Sequence, residues 1–163
     1  NAHYMAYMDD ASEVWTRGSI TNRGVPMSYR HQLRVRYGEC DQQGVVFNAH
    51  YMAYMDDASE VWTRGLCPSG DYRDLGWEWM VVRSVIEWQS SARNGDHLDI
   101  DVAVVRWGRS SFDFGFRGSV AGRAVFTGRT VCVSVKPVTL EKFDTPPHVR
   151  ALLGDAVAWA VPG

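Results

Sequence analysis

Residues 29–65, YRHQLRVRYGECDQQGVVFNAHYMAYMDDASEVWTRG, change periodicity once, and that change decides the fold. In residues 29–37, Leu33, Val35 and Tyr37 alternate with Arg34 and Arg36. Period two is the signature of a half-buried strand, because successive side chains of an extended chain point to opposite faces. From Tyr51 onward the period lengthens. Tyr51, Tyr54, Met55, Ala58, Val61 and Trp62 recur at spacings of three and four, with Asp56, Asp57, Glu60 and Arg64 on the other side. This predicts an amphipathic helix from about His50 to Arg64, with Asn48 as its N-cap and Gly65 as its stop. Between strand and helix, Gln42, Gln43 and Gly44 let the chain reverse.

Downstream, after the loop LCPSGDYRDLG, four segments read as strands: WEWMVVRSVIEWQSSA, DHLDIDVAVVRWG, SSFDFGFRGSV and RAVFTGRTVCVSVK. The stretches at 92–96 (ARNGD), 107–111 (WGRSS) and 121–123 (AGR) are short enough for antiparallel connections, so the pattern predicts a meander. In TPPHVRALLG, Pro146 and Pro147 precede a short apolar-periodic run, which predicts a brief terminal helix. The whole is an α+β layer arrangement, one long helix on the apolar face of a five-stranded antiparallel sheet.

Upstream, the eighteen residues NAHYMAYMDDASEVWTRG of positions 1–18 return unchanged at 48–65. Solenoid repeats diverge and recur at least three times, so perfect identity in two copies points instead to recent duplication or to cloning, the latter being our expectation. The first copy lacks the segment YGECDQQGVVF that precedes the second. Residues 1–26 are therefore expected to be an extension outside the core, with Met27 a plausible start and residues 27–163 a single domain.

A chain of 163 residues and 18.4 kDa can bury one real core. No apolar run reaches the roughly 18 residues of a membrane span, and the net charge of −2 with scattered arginines argues against a nucleic-acid partner. Cys40, Cys67 and Cys132 are odd in number and show no CxxC spacing, which predicts a reduced, cytoplasmic protein. Nothing in the pattern calls for a metal or a cofactor.

The chemistry-bearing residues concentrate at the strand-to-helix junction. Asp41 offers a carboxylate, and the helix that follows presents backbone N–H groups and a positive dipole end. Such a pair suits attack on an electrophilic carbonyl, with the amide of Asn48 as oxyanion donor. Asp41 alone would read as a turn residue capping its own backbone. His50 can polarise water or simply face solvent, and Cys40 has no evident base partner. Arg109, Ser110 and Ser111 form a hairpin suited to a phosphate or to solvent alone.

The stretch YGECDQQGVVFNAHY, with its skeleton of Tyr37, Asp41, Gly44, Val46, Phe47 and Tyr51, resembles the active-site signature of hot-dog-fold acyl-CoA thioesterases of the 4-hydroxybenzoyl-CoA thioesterase type. VVRSVIEWQSSARNGDHLDI is similar to the family's second strand and Ala-Arg-x-Gly-Asp turn, and WGRSSF to its CoA-phosphate turn, so the likeness covers residues 29–150. The resemblance implies hydrolysis of an acyl-CoA to a free acid and coenzyme A, with Asp41 as nucleophile or general base. It implies substrate contacts from Gly44, Val45, His50, Tyr51, Arg109, Ser110 and Ser111, and a homodimer or homotetramer. Many relatives carry His or an aromatic residue where Asn48 stands, so only its backbone is implied. Non-catalytic acyl-CoA-binding modules share the fold but need no carboxylate at position 41, and the dehydratases' His-Phe-Pro motif is missing here.

Overall fold

The computed structural model describes residues 27–163. The repeat at residues 1–18, with the helix expected there, lies outside the described residues. The described chain runs β1 (Ser28–Arg34), α1 (Asn48–Leu66), β2 (Glu78–Trp88), β3 (His97–Trp107), β4 (Ser111–Val120), β5 (Arg123–Val135) and α2 (Pro147–Leu153). The five strands form one antiparallel sheet in the order β1-β3-β4-β5-β2.

The α+β expectation holds, but the meander covers only β3, β4 and β5. Strand β2 lies on the edge beyond β5, so residues 92–96 do not form a hairpin between sheet neighbours. They belong to a connection that crosses the end of the sheet. Gln89 N and Ser90 N donate to Val125 O on β5, and Val35 N beyond β1 then donates to Asp96 O. The turn at 121–122 behaves as expected. Ala121 and Gly122 take φ of 47° and 78°, the double left-handed geometry that matches strand twist in a two-residue hairpin.

Helix α1 packs the predicted face onto the sheet. Tyr51, Tyr54, Met55, Ala58 and Trp62 are buried, whereas Val61 is only half-buried. Facing them are Phe112, Phe114, Phe116, Leu98, Ile100 and Phe126, and each such side chain contributes about 1.5–3 kcal/mol by leaving water. Gly128 allows the close approach, since a Cβ there would lie 2.6 Å from Met55 Sδ. Buried Ser59 and Thr63 satisfy their hydroxyls on helix carbonyls, Asp56 O at 2.9 Å and Ser59 O at 2.8 Å.

Both ends of α1 differ from expectation. Phe47, with φ −63° and ψ 133°, is the N-cap, and Asn48 is the first helical residue. The cap shifts because Phe47 N already donates to Glu39 O at 2.9 Å, which fixes Phe47 in extended geometry. Gly65 does not stop the helix. It continues to Leu66 and ends at Cys67, which precedes Pro68 and is extended as a pre-proline residue prefers. Tyr37, expected on the buried side of β1, is 84% exposed, because the strand ends at Arg34 and a 3-10 turn over Tyr37–Glu39 breaks the alternation.

Candidate active site

The junction between β1 and α1 is a miniature hairpin built from backbone bonds. Cys40 and Val46 pair as an isolated antiparallel bridge, and Asp41 N donates to Val45 O at 2.9 Å. Gly44 N closes the tip on Asp41 O at 3.0 Å, with Gly44 at φ 75°, a left-handed conformation that glycine adopts without penalty. The 92–96 segment supports this hairpin from one side. Val46 N donates to Ala92 O at 2.9 Å, and Val45 bridges Arg93.

Asp41 is half-buried at this tip. Its Oδ1 accepts from Gln43 N at 2.8 Å, so one oxygen caps the turn, while Oδ2 has no partner among the described residues. The hairpin leads directly into the first turn of α1. Phe47 N is taken by Glu39 O and His50 N by Phe47 O, which leaves the amides of Asn48 and Ala49 with no acceptor among the described residues. These two N–H groups, at the positive end of a 19-residue helix, are suited to developing negative charge. Sequence reasoning singled out Asn48 and missed Ala49.

Asn48 lines a concavity of about 290 Å³ with Val46, Tyr51, Trp88, Gln89, Ser90 and Ser91. A second hollow, about 320 Å³, follows the same flank of α1 past Met52, Ala53 and Asp56 to Trp79, Val81 and Phe114. Asp41 lines neither. Tyr51 is buried, its hydroxyl accepting from Ala92 N at 3.2 Å and its ring against Trp88 and Phe126. His50 is half-buried between the rings of Phe47 and Tyr54. Trp77 is fully buried and donates to Ser134 Oγ, whereas Trp88 is 46% exposed at the concavity.

Beneath the hairpin lies a buried carboxylate that the sequence did not announce. Glu39, 8% exposed, accepts from Tyr54 Oη at 2.7 Å, Arg36 N at 2.9 Å and Arg36 Nη2 at 2.6 Å. Burial pushes its carboxyl up, but the Arg36 backbone, Tyr54 and guanidinium bonds outweigh this and hold it below the usual range. Burial, and then the bond to Glu39, push the Tyr54 phenol far up, so Tyr54 is the donor.

The cysteines offer no nucleophile of comparable standing. Burial raises the Cys67 and Cys132 thiols, and Cys40 Sγ lies 3.8 Å from Arg36 O.

Asp41, Gly44, Val45, Asn48, His50 and Tyr51 thus gather at one end of the sheet, where β1 meets the start of β3. Arg109, Ser110 and Ser111 do not join them within the chain. They sit at the far end of β3, whose eleven residues separate the two ends by about 30 Å. Arg109 is exposed and pairs with Asp144 at 3.4 Å, and the Ser110 and Ser111 carbonyls accept from Ser134 N and Gly108 N.

Comparison with known proteins agrees with this architecture. A Jannaschia thioesterase-superfamily structure aligns at a TM-score of 0.73 with 23% identity, covering 82% of this chain and 96% of that one. A 1,4-dihydroxy-2-naphthoyl-CoA thioesterase from Synechocystis aligns at 0.66 and 18%, covering 77% and 96%. A 4-hydroxybenzoyl-CoA thioesterase with an aspartate replaced by asparagine, solved in complex with 4-hydroxybenzoyl-CoA, aligns at 0.70 and 21%, covering 78% and 99%. Among curated proteins, none matches the chain. The model of the thioesterase-like superfamily matches residues 35–153, and with this hot-dog arrangement of sheet and helix the chain belongs to that superfamily.

Proposed function

We propose that this thioesterase-family enzyme hydrolyses an acyl-CoA thioester, water supplying hydroxyl to the acyl group and a proton to the departing CoA thiolate. The observation that carries the reading is the pair of amides, Asn48 and Ala49, that have no acceptor among the described residues and lie one hairpin away from the Asp41 carboxylate. The thioester carbonyl oxygen accepts from those amides, whose bonds strengthen as it becomes an oxyanion. Asp41 then acts through its free oxygen, as nucleophile on the carbonyl carbon or as base to the attacking water. A structural neighbour solved in complex with 4-hydroxybenzoyl-CoA carries asparagine in place of one aspartate, which is in keeping with a carboxylate in this role.

The acyl group follows the flank of α1 from Asn48 toward Met52, Trp79, Val81 and Phe114, an apolar path that suits an aliphatic or aromatic acyl chain. The enzyme works as a homodimer or homotetramer. Among the described residues, edge strand β2 leaves one side unpaired and exposes Met80, Val81 and Val82 at 45%, 47% and 58%, a surface suited to a second copy. Because Arg109 lies at the far end of the sheet, its grip on CoA phosphates requires such a second copy. Three unpaired thiols favour a reducing, cytoplasmic setting, and no helix of the described residues is long and apolar enough to cross a membrane.

The test is thiol release from aliphatic and aromatic acyl-CoA esters of graded length. Turnover of at least one ester, with KM responding to acyl shape, is the expected result. Binding without turnover across the panel would identify an acyl-CoA-binding module instead.

A further inference from the structure

We infer that Glu39 is a positioning residue that fixes the distance between the Asp41 carboxylate and the open amides of α1. This rests on the hydrolytic reading above and goes beyond it by naming what holds the two halves of the site in register.

Three kinds of contact meet at this one residue. Its carbonyl accepts from Phe47 N at 2.9 Å, joining the hairpin's last rung to the residue before α1. Its Oε2 accepts from Tyr54 Oη at 2.7 Å, joining the hairpin's base to the second turn of the helix. Its Oε1 and Oε2 accept from Arg36 Nε and Arg36 N, each at 2.9 Å, joining both to the end of the β1 segment. Asp41 stands two residues along one arm of the hairpin, and Asn48 nine residues along the chain, on the other arm's exit. Any rotation of α1 about the hairpin therefore has to break a buried bond to Glu39.

The contacts differ in strength. The Arg36 side chain is 82% exposed, so its ion pair adds little by itself. The bond from Tyr54 is buried and charge-assisted, and its loss leaves a carboxylate lone pair without a partner. Displacement of about 1 Å between a reacting group and its substrate can cost a hundredfold in rate. A clamp on the register of hairpin and helix therefore shows itself in turnover before it shows itself in binding.

The experiment compares Tyr54→Phe, Glu39→Gln and the double variant with the full chain, well below the melting temperature and with circular dichroism confirming the fold. Tyr54→Phe keeps the ring packed and removes only the hydroxyl, so it retains the fold even if Glu39→Gln does not. The expected result is a fall in kcat of about tenfold for Tyr54→Phe with KM within about twofold, and a double variant no worse than the poorer single one. A lowered melting temperature with kcat unchanged would overturn the inference, leaving Glu39 a purely structural acid. Asp41→Asn, measured alongside, separates the two claims. Loss of hydrolysis there with full activity in Tyr54→Phe overturns the positioning role alone, and full hydrolysis in Asp41→Asn overturns the underlying reading as well.

Discussion

Gly44 turns the chain that carries Asp41, and replacing it by alanine isolates one physical term. It sits at φ 75°, with no atom within 4 Å of the position a Cβ would take. Alanine therefore meets no clash, only the left-handed penalty of about 1–2 kcal/mol for a residue with a side chain. Stiffening of the unfolded chain offsets about 0.4–1 kcal/mol of this, for a net loss near 1 kcal/mol. Local relaxation is blocked on both sides, by Gly44 N on Asp41 O and by Val46 N on Ala92 O. The loss should consequently appear in global stability, as a fall in Tm of roughly 3–4 °C. Urea unfolding followed by tryptophan fluorescence should show a lower midpoint at unchanged m-value. Gly44→Asn should lose less, because asparagine tolerates the left-handed region. If alanine proves neutral, or asparagine proves worse than alanine, the backbone argument for this turn is refuted.

Asp113 is fully buried between Arg106 at 2.7 Å and Arg129 at 2.5 Å, and since both guanidiniums keep contact with solvent, Asp113→Ala should cost about 1–3 kcal/mol through the loss of their charge-assisted bonds. Burial pushes this carboxyl up but the Arg106 and Arg129 bonds outweigh it, so its folded pKa lies below the unfolded value. Its contribution is therefore present at neutral pH and lost as pH falls through the lowered value. The gap in Tm between wild type and variant should close in acid, and a pH-independent gap would contradict this. Arg109→Ala should raise KM for CoA esters severalfold while sparing a truncated thioester without the nucleotide, and equal losses on both would mark Arg109 as structural. Removal of residues 1–26 should leave hydrolysis within about twofold and Tm nearly unchanged, since the buried side chains of the described residues already pack against one another. A fall of several degrees would show that the first copy of the repeat packs on that core.

The helix face was legible because burial on one side imposes a period, and Tyr51, Tyr54, Met55, Ala58 and Trp62 all obey it. Strand alternation was equally plain through Val35 and then misled at Tyr37, where the chain leaves extended geometry for a 3-10 turn. The place of β2 was hidden because a short linker such as residues 92–96 constrains distance but not which strand lies alongside. Of the site, the reversal at Gln42–Gly44 and the approximate start of the helix could be read locally, but not the hairpin pairing of Cys40 with Val46 or the cap at Phe47. Glu39 could not, since its partner Tyr54 is fifteen residues away and a single acid in a polar loop carries no periodic signal. The separation of Arg109 from Asp41 likewise depends on strand direction across the whole sheet, which no local motif encodes.

Asp41 and the first turn of α1 together form the proposed hydrolytic site. The decisive measurement is steady-state thiol release by wild type and Asp41→Asn on the best ester of the graded panel. Asparagine keeps the oxygen that caps Gln43 N, so the fold and the turn should survive. The expected result is a fall in kcat of about a hundredfold or more with Tm unchanged. Turnover by Asp41→Asn at close to the wild-type rate would contradict it.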